Sequence, residues 1–389
     1  MDIIYEVLKT NGFKSLNPLQ SLALNNGLLS NKNMVIAAPT ASGKTLIAEI
    51  ASLYEIIVNK RKVVYIVPLK ALASEKYEDF VKKYKNKIKI AISTGDFDSS
   101  DEWLENYDLI IVTSEKLDSL MRHNTSWLNK IGLVIVDEVH LLNDISRGSN
   151  LEVILTRLRY EIKPRFICLS ATISNYKEIA DWLNAVAIQS DYRPVKLKKG
   201  VLYGNNVYWD NMEKQSIRGE MDNIALLIIE TLEKGKQVLI FVNTRKATEE
   251  FAEKITNIVN RFVNKKKMSK IAAKILNALE SPTSQCRKLA DCVENGVAFH
   301  HAGLSPEQRK IVEDAFKNKE IKVIVATPTL AMGVNLPSFM VIIRDLRRYE
   351  AFRGMSFLSN LEIQQMLGRA GRPRYDEYGI ALLLSLIHI

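Results

Sequence analysis

The 389 residues carry 54 lysines and arginines against 44 aspartates and glutamates, a formal charge of +10 and a pI near 9.2. Such a length suggests two or three domains, 47% hydrophobic residues suffice for ordinary cores rather than disorder, and the positive balance favours a polyanionic partner, although a lysine-rich proteome carries the same bias. Cys168, Cys286 and Cys292 lack disulfide or metal-ligand spacing, the start Met1-Asp2-Ile3-Ile4-Tyr5-Glu6 is not a signal peptide, and no apolar run approaches bilayer-spanning length, so a cytoplasmic protein outside the membrane is expected.

Pro18-Leu19-Gln20 comes first. The Gln20 amide can pair with the N6 donor and N7 acceptor of adenine, and it equally suits a polar helix start after Pro18. Next, an apolar strand from Met34 to Pro39 runs into Ala38-Pro39-Thr40-Ala41-Ser42-Gly43-Lys44-Thr45, followed by Leu46, Ile47, Ile50, Tyr54 and Ile57 at helical spacing. In such a strand, loop and helix, backbone N–H groups ring phosphates, Lys44 reaches the terminal phosphates and the Thr45 hydroxyl ligates Mg²⁺. Ala38 stands where the pattern usually has its first glycine; a tight turn with an exposed lysine is the bland alternative.

Further strands are expected at Val63–Pro68, Ile88–Ser93, Leu109–Thr113, Leu133–Asp137 and Ile167–Ser170, interleaved with helices as in a parallel α/β sheet. Asp137 and Glu138 end the fully apolar strand of Leu133, Val134, Ile135 and Val136, where ligands gather in parallel sheets. Asp137 is assigned to Mg²⁺ through water, and Glu138 to orienting and deprotonating the water that attacks a γ-phosphate.

Asp191 to Asn211, with Pro194, Gly200 and Gly204, reads as a linker containing a short hairpin near which closure would pivot. A second strand set runs Val238–Val242, Val297–His300, Val323–Ala326, Val341–Arg344 and Ile380–Leu384. The expectation is thus two tandem α/β domains, residues 1–190 and 191–389, each a parallel sheet flanked by helices. The lysine-rich stretch Val259 to Leu276 reads as a solvated helix, and His300 and His301, on opposite strand faces, do not suggest a metal. Arg369 and Arg372, three apart on an expected helix, would share one face able to grip phosphate as arginine fingers, with Gly368, Ala370 and Gly371 permitting close approach to a ligand.

The ordered motifs resemble those of superfamily 2 helicases of the DExH-box type. The resemblance rests on the phosphate loop, Asp137-Glu138-Val139-His140, Val67-Pro68-Leu69-Lys70-Ala71-Leu72, Thr113-Ser114-Glu115-Lys116 and Ser170-Ala171-Thr172 in the first half. In the second half it rests on Phe241-Val242-Asn243-Thr244-Arg245, His300-His301-Ala302-Gly303-Leu304, Ala326 to Pro337 and Gln365 to Arg372. Pro18-Leu19-Gln20, Arg193-Pro194-Val195 leading to Gly200-Val201-Leu202, and His301-Ala302-Gly303-Leu304 look most like the archaeal repair helicases that act at stalled forks, relatives of the polymerase theta helicase domain.

That resemblance implies two tandem RecA-like domains, ATP and Mg²⁺ as cofactors, and ATP-dependent 3′ to 5′ translocation on single-stranded and forked DNA by a monomer. It favours adenine for Gln20 and adds Gly333, Asn335 and Gln365 to the nucleotide site. Pro68, Lys70, Thr113, Asn243 and Thr327 would contact the nucleic-acid backbone, and His140, Ser170 and Thr172 would couple hydrolysis to movement. A β-hairpin between Arg344 and Asn360 would wedge the duplex with Tyr349 or Phe352. Alternatives are an RNA helicase of the same branch, or a nucleotide-gated clamp with little turnover. The chain stops at Ile389 without a polar cap, and truncation after the second domain is expected.

Overall fold

The structure is a computed structural model that describes residues 2–95, 101–123, 125–144, 147–333, 336–350, 354–373 and 375–385. It divides into two compact units, Met1–Arg193 and Pro194–Ile389.

The first unit contains strands β1 (Asn33–Ala37), β2 (Lys62–Val67), β3 (Ile90–Ser93), β4 (Leu109–Thr113), β5 (Ile131–Val136), β6 (Arg165–Ser170) and β7 (Ala185–Gln189). Its helices are α1 (Ile3–Thr10), α2 (Pro18–Asn25), α3 (Lys44–Ile57), α4 (Lys70–Tyr84), α5 (Ser114–Arg122), α6 (Gly148–Arg157) and α7 (Tyr176–Trp182). The strands form one parallel sheet in the order β3-β4-β2-β5-β6-β1-β7. Both faces are covered, which is why the strands read as unbroken apolar runs. Met34 and Ile36 of β1 pack into one core with Leu19 and Ile47, while Val35 packs into the other with Val134 and Leu155. The short strand β7 escapes a reading by apolar runs because only Ile188 among its five residues is buried.

The second unit contains β8 (Lys196–Tyr203), β9 (Asn206–Trp209), β10 (Lys214–Ser216), β11 (Val238–Phe241), β12 (Val297–His300), β13 (Val323–Ala326), β14 (Met340–Ile343), β15 (Arg347–Glu350), β16 (Gly354–Phe357) and β17 (Tyr378–Leu384). Its helices are α8 (Asn223–Glu233), α9 (Arg245–Val259), α10 (Lys265–Asn277), α11 (Ser284–Glu294), α12 (Pro306–Lys317), α13 (Thr329–Gly333) and α14 (Asn360–Leu367). Its main sheet runs β10-β9-β8-β17-β14-β11-β13-β12. The part from β8 to β12 is parallel, but β9 and β10 extend it antiparallel, so this sheet is not the purely parallel one expected.

Two expectations change here. The segment 191–211 does contain a short hairpin, β8–β9, but it is largely not a linker: β8 pairs with β17 from Lys196↔Tyr378 to Leu202↔Leu384, and β10 lies beyond the hairpin at the sheet's margin. Helix α10 is not merely solvated either. Its lysines are exposed, but Met268, Ile271, Ala272 and Ile275 are buried in the core, the amphipathic pattern of a packed helix. Between Arg344 and Asn360, β15 and β16 do form an antiparallel hairpin.

Local chemistry sets the helix starts. Asn17 with Gln20, Ser305 with Gln308, and Ser359 with Glu362 each form reciprocal capping boxes, the first two with proline at the opening helical position. Close backbone approach sets one turn. A Cβ on Gly379 of β17 would lie 2.3 Å from the Gly371 nitrogen and 2.5 Å from the Ala370 carbonyl carbon, so the chain at 370–371 packs directly on that strand. Gly379→Ala is therefore expected to destabilise the chain by roughly 1–3 kcal/mol, read as a lower thermal midpoint; a variant as stable as the parent would contradict this packing.

Candidate nucleotide site and arginine motif

The loop after β1 is shaped by positive φ at Ala41 (65°) and Gly43 (93°) and delivers its backbone to the start of α3. A side chain at residue 43 is disfavoured twice over, by the left-handed φ of 93° and because its Cβ would stand 2.6 Å from Gln20 Nε2 and 2.7 Å from Asn17 Nδ2, displacing both amides. The exposed amides at a helix start and the helix dipole favour an anion there. Ser42 Oγ is buried without a hydrogen-bond partner, which suits a polar ligand seated in the loop. Lys44 folds back over this loop, its Nζ donating to the Ala38 carbonyl (2.6 Å) and the Pro39 carbonyl (2.9 Å). Burial lowers its pKa, opposed by the charges of Glu138 and Asp137.

Gln20 is buried beside the loop. Its Oε1 accepts from Asn17 N–H (2.9 Å) and its Nε2 donates to the Gly43 carbonyl (3.2 Å), so its amide ties α2 to the phosphate loop. Asn17 Nδ2 adds a bond to the Ser42 carbonyl (2.9 Å).

Parallel pairing of β1, β6, β5 and β2 brings the loop, Ser170, Asp137 and Pro68 to one edge of the sheet, at the C-terminal strand ends. Asp137 N–H bonds the Ile66 carbonyl (2.9 Å), and its carboxylate meets two groups absent from the sequence reading. The Tyr65 hydroxyl donates to Asp137 Oδ2 at 3.2 Å, and Lys76 Nζ lies 3.5 Å from the same oxygen and 3.1 Å from Thr45 Oγ1. Burial, reinforced by the Asp137 charge, pushes the Tyr65 pKa up, which keeps it a donor. In the sequence Tyr65 is one residue of an apolar run and Lys76 one of several charged residues of α4, so neither stands out by type or spacing. Thr45 and Asp137 thus bracket a cationic head, and this oxygen donor set fits Mg²⁺.

Glu138 takes a left-handed backbone (φ 56°, ψ 44°), uncommon for a residue with a side chain, and aims its carboxylate at 3.4 Å from His140 Nδ1. That nitrogen accepts the Ala171 N–H (3.2 Å) and lies 3.3 Å from Ser170 Oγ. Burial lowers the His140 pKa against the pull of Glu138, in keeping with a neutral ring accepting at Nδ1. The ring therefore connects Glu138 to the end of β6. Thr172 is exposed just beyond.

On the same edge, Pro68 accepts a 3.5 Å bond from Arg147 at its carbonyl, Lys70 is exposed at the first turn of α4, and Thr113 is buried, its hydroxyl capping α5. In the second unit, Asn243 follows β11 with its N–H on Asp345 Oδ2 (3.1 Å), and Thr327 follows β13 with its hydroxyl 2.8 Å from Thr329. Gly333 closes α13, Gln365 is buried on α14, and Tyr349 lies in β15. Asn335 and Phe352 lie outside the described residues. His300 and His301 each face their own carboxylate, Glu313 and Glu249, and no metal-holding cluster occurs among the described residues.

The arginines do not share a helix face, because α14 ends at Leu367 and both follow it. Ser338 bridges Ala370, and Gly371 turns with φ 85°. Arg369 bonds the Ala331 carbonyl of α13. Arg372 is buried: Nε donates to Asp376 Oδ2 (3.0 Å) and Nη1 to Gln237 Oε1 (2.6 Å). Gln237 precedes β11, so this guanidinium stands at the opposite sheet edge from Asn243 and Thr327. Burial would raise the Asp376 pKa, but bonds from Arg372 and Lys236 outweigh it and hold the carboxyl below its ordinary value. Gly371 packs against Gly379, so at least this small residue of the arginine motif serves packing within its own unit.

A strand, phosphate loop and helix with paired acids at a nearby strand end define the first unit as a nucleoside-triphosphate-binding α/β domain of the P-loop class. The DEAD/DEAH box helicase model matches residues 17–179, and the helicase conserved C-terminal domain model matches residues 221–374. The chain belongs to the DEAD/DEAH box helicases of superfamily 2, and its two units are the tandem RecA-like domains of that class. It is 46% identical over 382 residues to the ATP-dependent DNA helicase Hel308 of Pyrococcus horikoshii, covering 98% of this chain and 52% of the relative. The Hel308 of Methanocella arvoryzae is 46% identical over 384 residues (96% and 52%), and that of Thermoplasma volcanium 45% over 356 residues (91% and 50%). The chain spans about half the length of these relatives.

Two predictions follow from the buried charges. Arg372→Ala leaves Asp376 with Lys236 and the backbone N–H of residue 372, without the guanidinium, and should cost roughly 3 kcal/mol, seen in denaturant unfolding; unchanged stability would show the side-chain pair to be dispensable. For His140, the folded pKa lies below the unfolded one, so its contribution to stability is complete above about pH 6.5 and declines as pH falls through the lowered value. His140→Asn should flatten that acid-side slope of the thermal midpoint, and an unaltered slope would place the titration elsewhere.

Proposed function

We propose that this chain is the ATP-driven motor of a DNA helicase, hydrolysing ATP to translocate along single-stranded and forked DNA, in the manner the names of its relatives suggest and in fork repair. The observation that carries the reading is the convergence, on one strand edge, of the phosphate loop with Lys44, the Thr45 and Asp137 oxygens, and Glu138 held toward His140.

In this mechanism the amides of Thr40 to Gly43 and the start of α3 receive the phosphates, and Lys44 leaves the Ala38 and Pro39 carbonyls to reach them. Thr45 and Asp137 would hold Mg²⁺, which when bound offsets the developing charge on the phosphate oxygens. Glu138 orients the attacking water and takes its proton, and its left-handed backbone keeps the carboxylate at the strand end. His140 passes the position of Glu138 to Ser170 and the β6 end, the route by which hydrolysis would be felt at Thr172. Arg369 and Arg372 are proposed to supply positive charge to the terminal phosphate; Arg372 would first have to give up Asp376. Adenine recognition by Gln20 likewise requires it to release Asn17 or Gly43.

Pro68, Lys70, Thr113, Asn243 and Thr327, all at or just beyond C-terminal strand ends, are proposed to track the nucleic-acid backbone. Backbone contacts of this kind serve RNA as well as DNA, so an RNA motor is the second reading; the names of the relatives favour DNA. The test is steady-state ATP hydrolysis with oligo-dT and with oligo-U. Stimulation by oligo-dT is expected, with Lys44→Ala inactive and Glu138→Gln slowed by about 10²–10⁴-fold while still binding ATP. Glu138→Gln turning over near the parent rate would remove the assigned base, and stimulation by oligo-U alone would shift the reading to RNA.

A further inference from the structure

The ammonium of Lys76 occupies the place between the two oxygens assigned to the cation. Its Nζ lies 3.1 Å from Thr45 Oγ1 and 3.5 Å from Asp137 Oδ2, and it stands 5.6 Å from the centroid of the Tyr65 ring, while the Tyr65 hydroxyl holds that same Asp137 oxygen at 3.2 Å. Both partners are largely out of water, with side-chain exposures of 15% for Lys76 and 14% for Asp137. A carboxylate so placed is costly without a countercharge, and among the described residues Lys76 is the cation paired with it.

A divalent ion binding these oxygens would sit about 2.1 Å from the threonine hydroxyl oxygen. That position falls within a few ångströms of the lysine nitrogen where it now stands, and like charges at such separation in a poorly solvated site repel strongly. The two cations cannot both be seated there. Lysine is suited to yielding, since its charge is carried on a flexible four-carbon stem, and the face of Tyr65 beside it offers a nearby seat.

We propose that Lys76 is a resident counter-ion for the Thr45 and Asp137 pair, holding both side chains in place before the nucleotide arrives and competing with the divalent cation for them. Lys76 is a positioning residue rather than a catalytic one: it sets how tightly the cation is taken and keeps the Thr45 and Asp137 side chains ordered. The inference rests on the reading of Thr45 and Asp137 as the cation-holding pair under the proposed function.

The test is binding of Mn²⁺ to the nucleotide-free chain, followed by the loss of the free-ion signal in electron paramagnetic resonance. Lys76→Met should bind Mn²⁺ at least fivefold more tightly than the parent, Lys76→Arg should stay close to the parent, and adding Asp137→Asn should abolish the gain. Should the methionine variant fail to fold, Lys76→Gln, which keeps a polar head toward Thr45, is expected to show the same direction. Equal or weaker Mn²⁺ binding by the folded neutral variant overturns the competition, as does a gain that survives Asp137→Asn. Binding of a fluorescent ADP, measured in parallel, separates the two readings. A chain that binds the nucleotide but shows no gain refutes the counter-ion alone, whereas Mn²⁺ binding without any nucleotide binding refutes the proposed motor.

Discussion

The charge balance at Asp137 is the constraint on which the first unit depends. Parallel strands end together, so the carboxylates of Asp137 and Glu138, the lysines 44 and 76 and the phosphate loop are forced onto one edge of one sheet. Each of these groups is partly stripped of water there, and each is tolerated because another neutralises or hydrogen-bonds it. Lys44 rests on carbonyls of its own loop and Lys76 on Asp137 and Thr45, so both ammonium groups are held at this edge against the two carboxylates. An anion entering this edge finds donors already oriented, which lowers the reorganisation that binding demands.

The second unit uses buried charge differently. Arg372, Asp376, Lys236 and Gln237 form a network that ties the arginine motif to the start of β11 and, through the Gln237 amide, to the carbonyls of Phe316 and Ile321. The close contact of Gly371 and Gly379 brings the motif against β17. In this state the motif belongs to the framework of its own domain, and any role toward a phosphate requires Arg372 to exchange a good partner for another.

Much of this was legible before any coordinates. The apolar runs at β1, β2, β4, β5 and β6 and the helix signals around them are strong because buried parallel strands tolerate few polar residues. The loop from Ala38 to Thr45 and the acids at 137 and 138 were recognisable for the same reason, since each lies at the end of such a run. Strand β7, the pairing of β8 with β17 and the packed face of α10 were misread or missed. In those segments short length, exposed lysines or proline and glycine masked a partner that is remote in sequence.

What the chain alone determined is therefore local: the strands and helices, the phosphate loop, the acid pair and the order of motifs that marks a helicase, because these depend on residue type and near-neighbour spacing. The tertiary structure decided which side chains share a partner. Lys76 and Tyr65 converge on Asp137, Gln20 is tied to Gly43, and the two arginines point to different neighbours rather than along one helix face. Such pairings are set by strand register and by where helices stop, and distances between residues far apart in sequence cannot be recovered from their spacing along it.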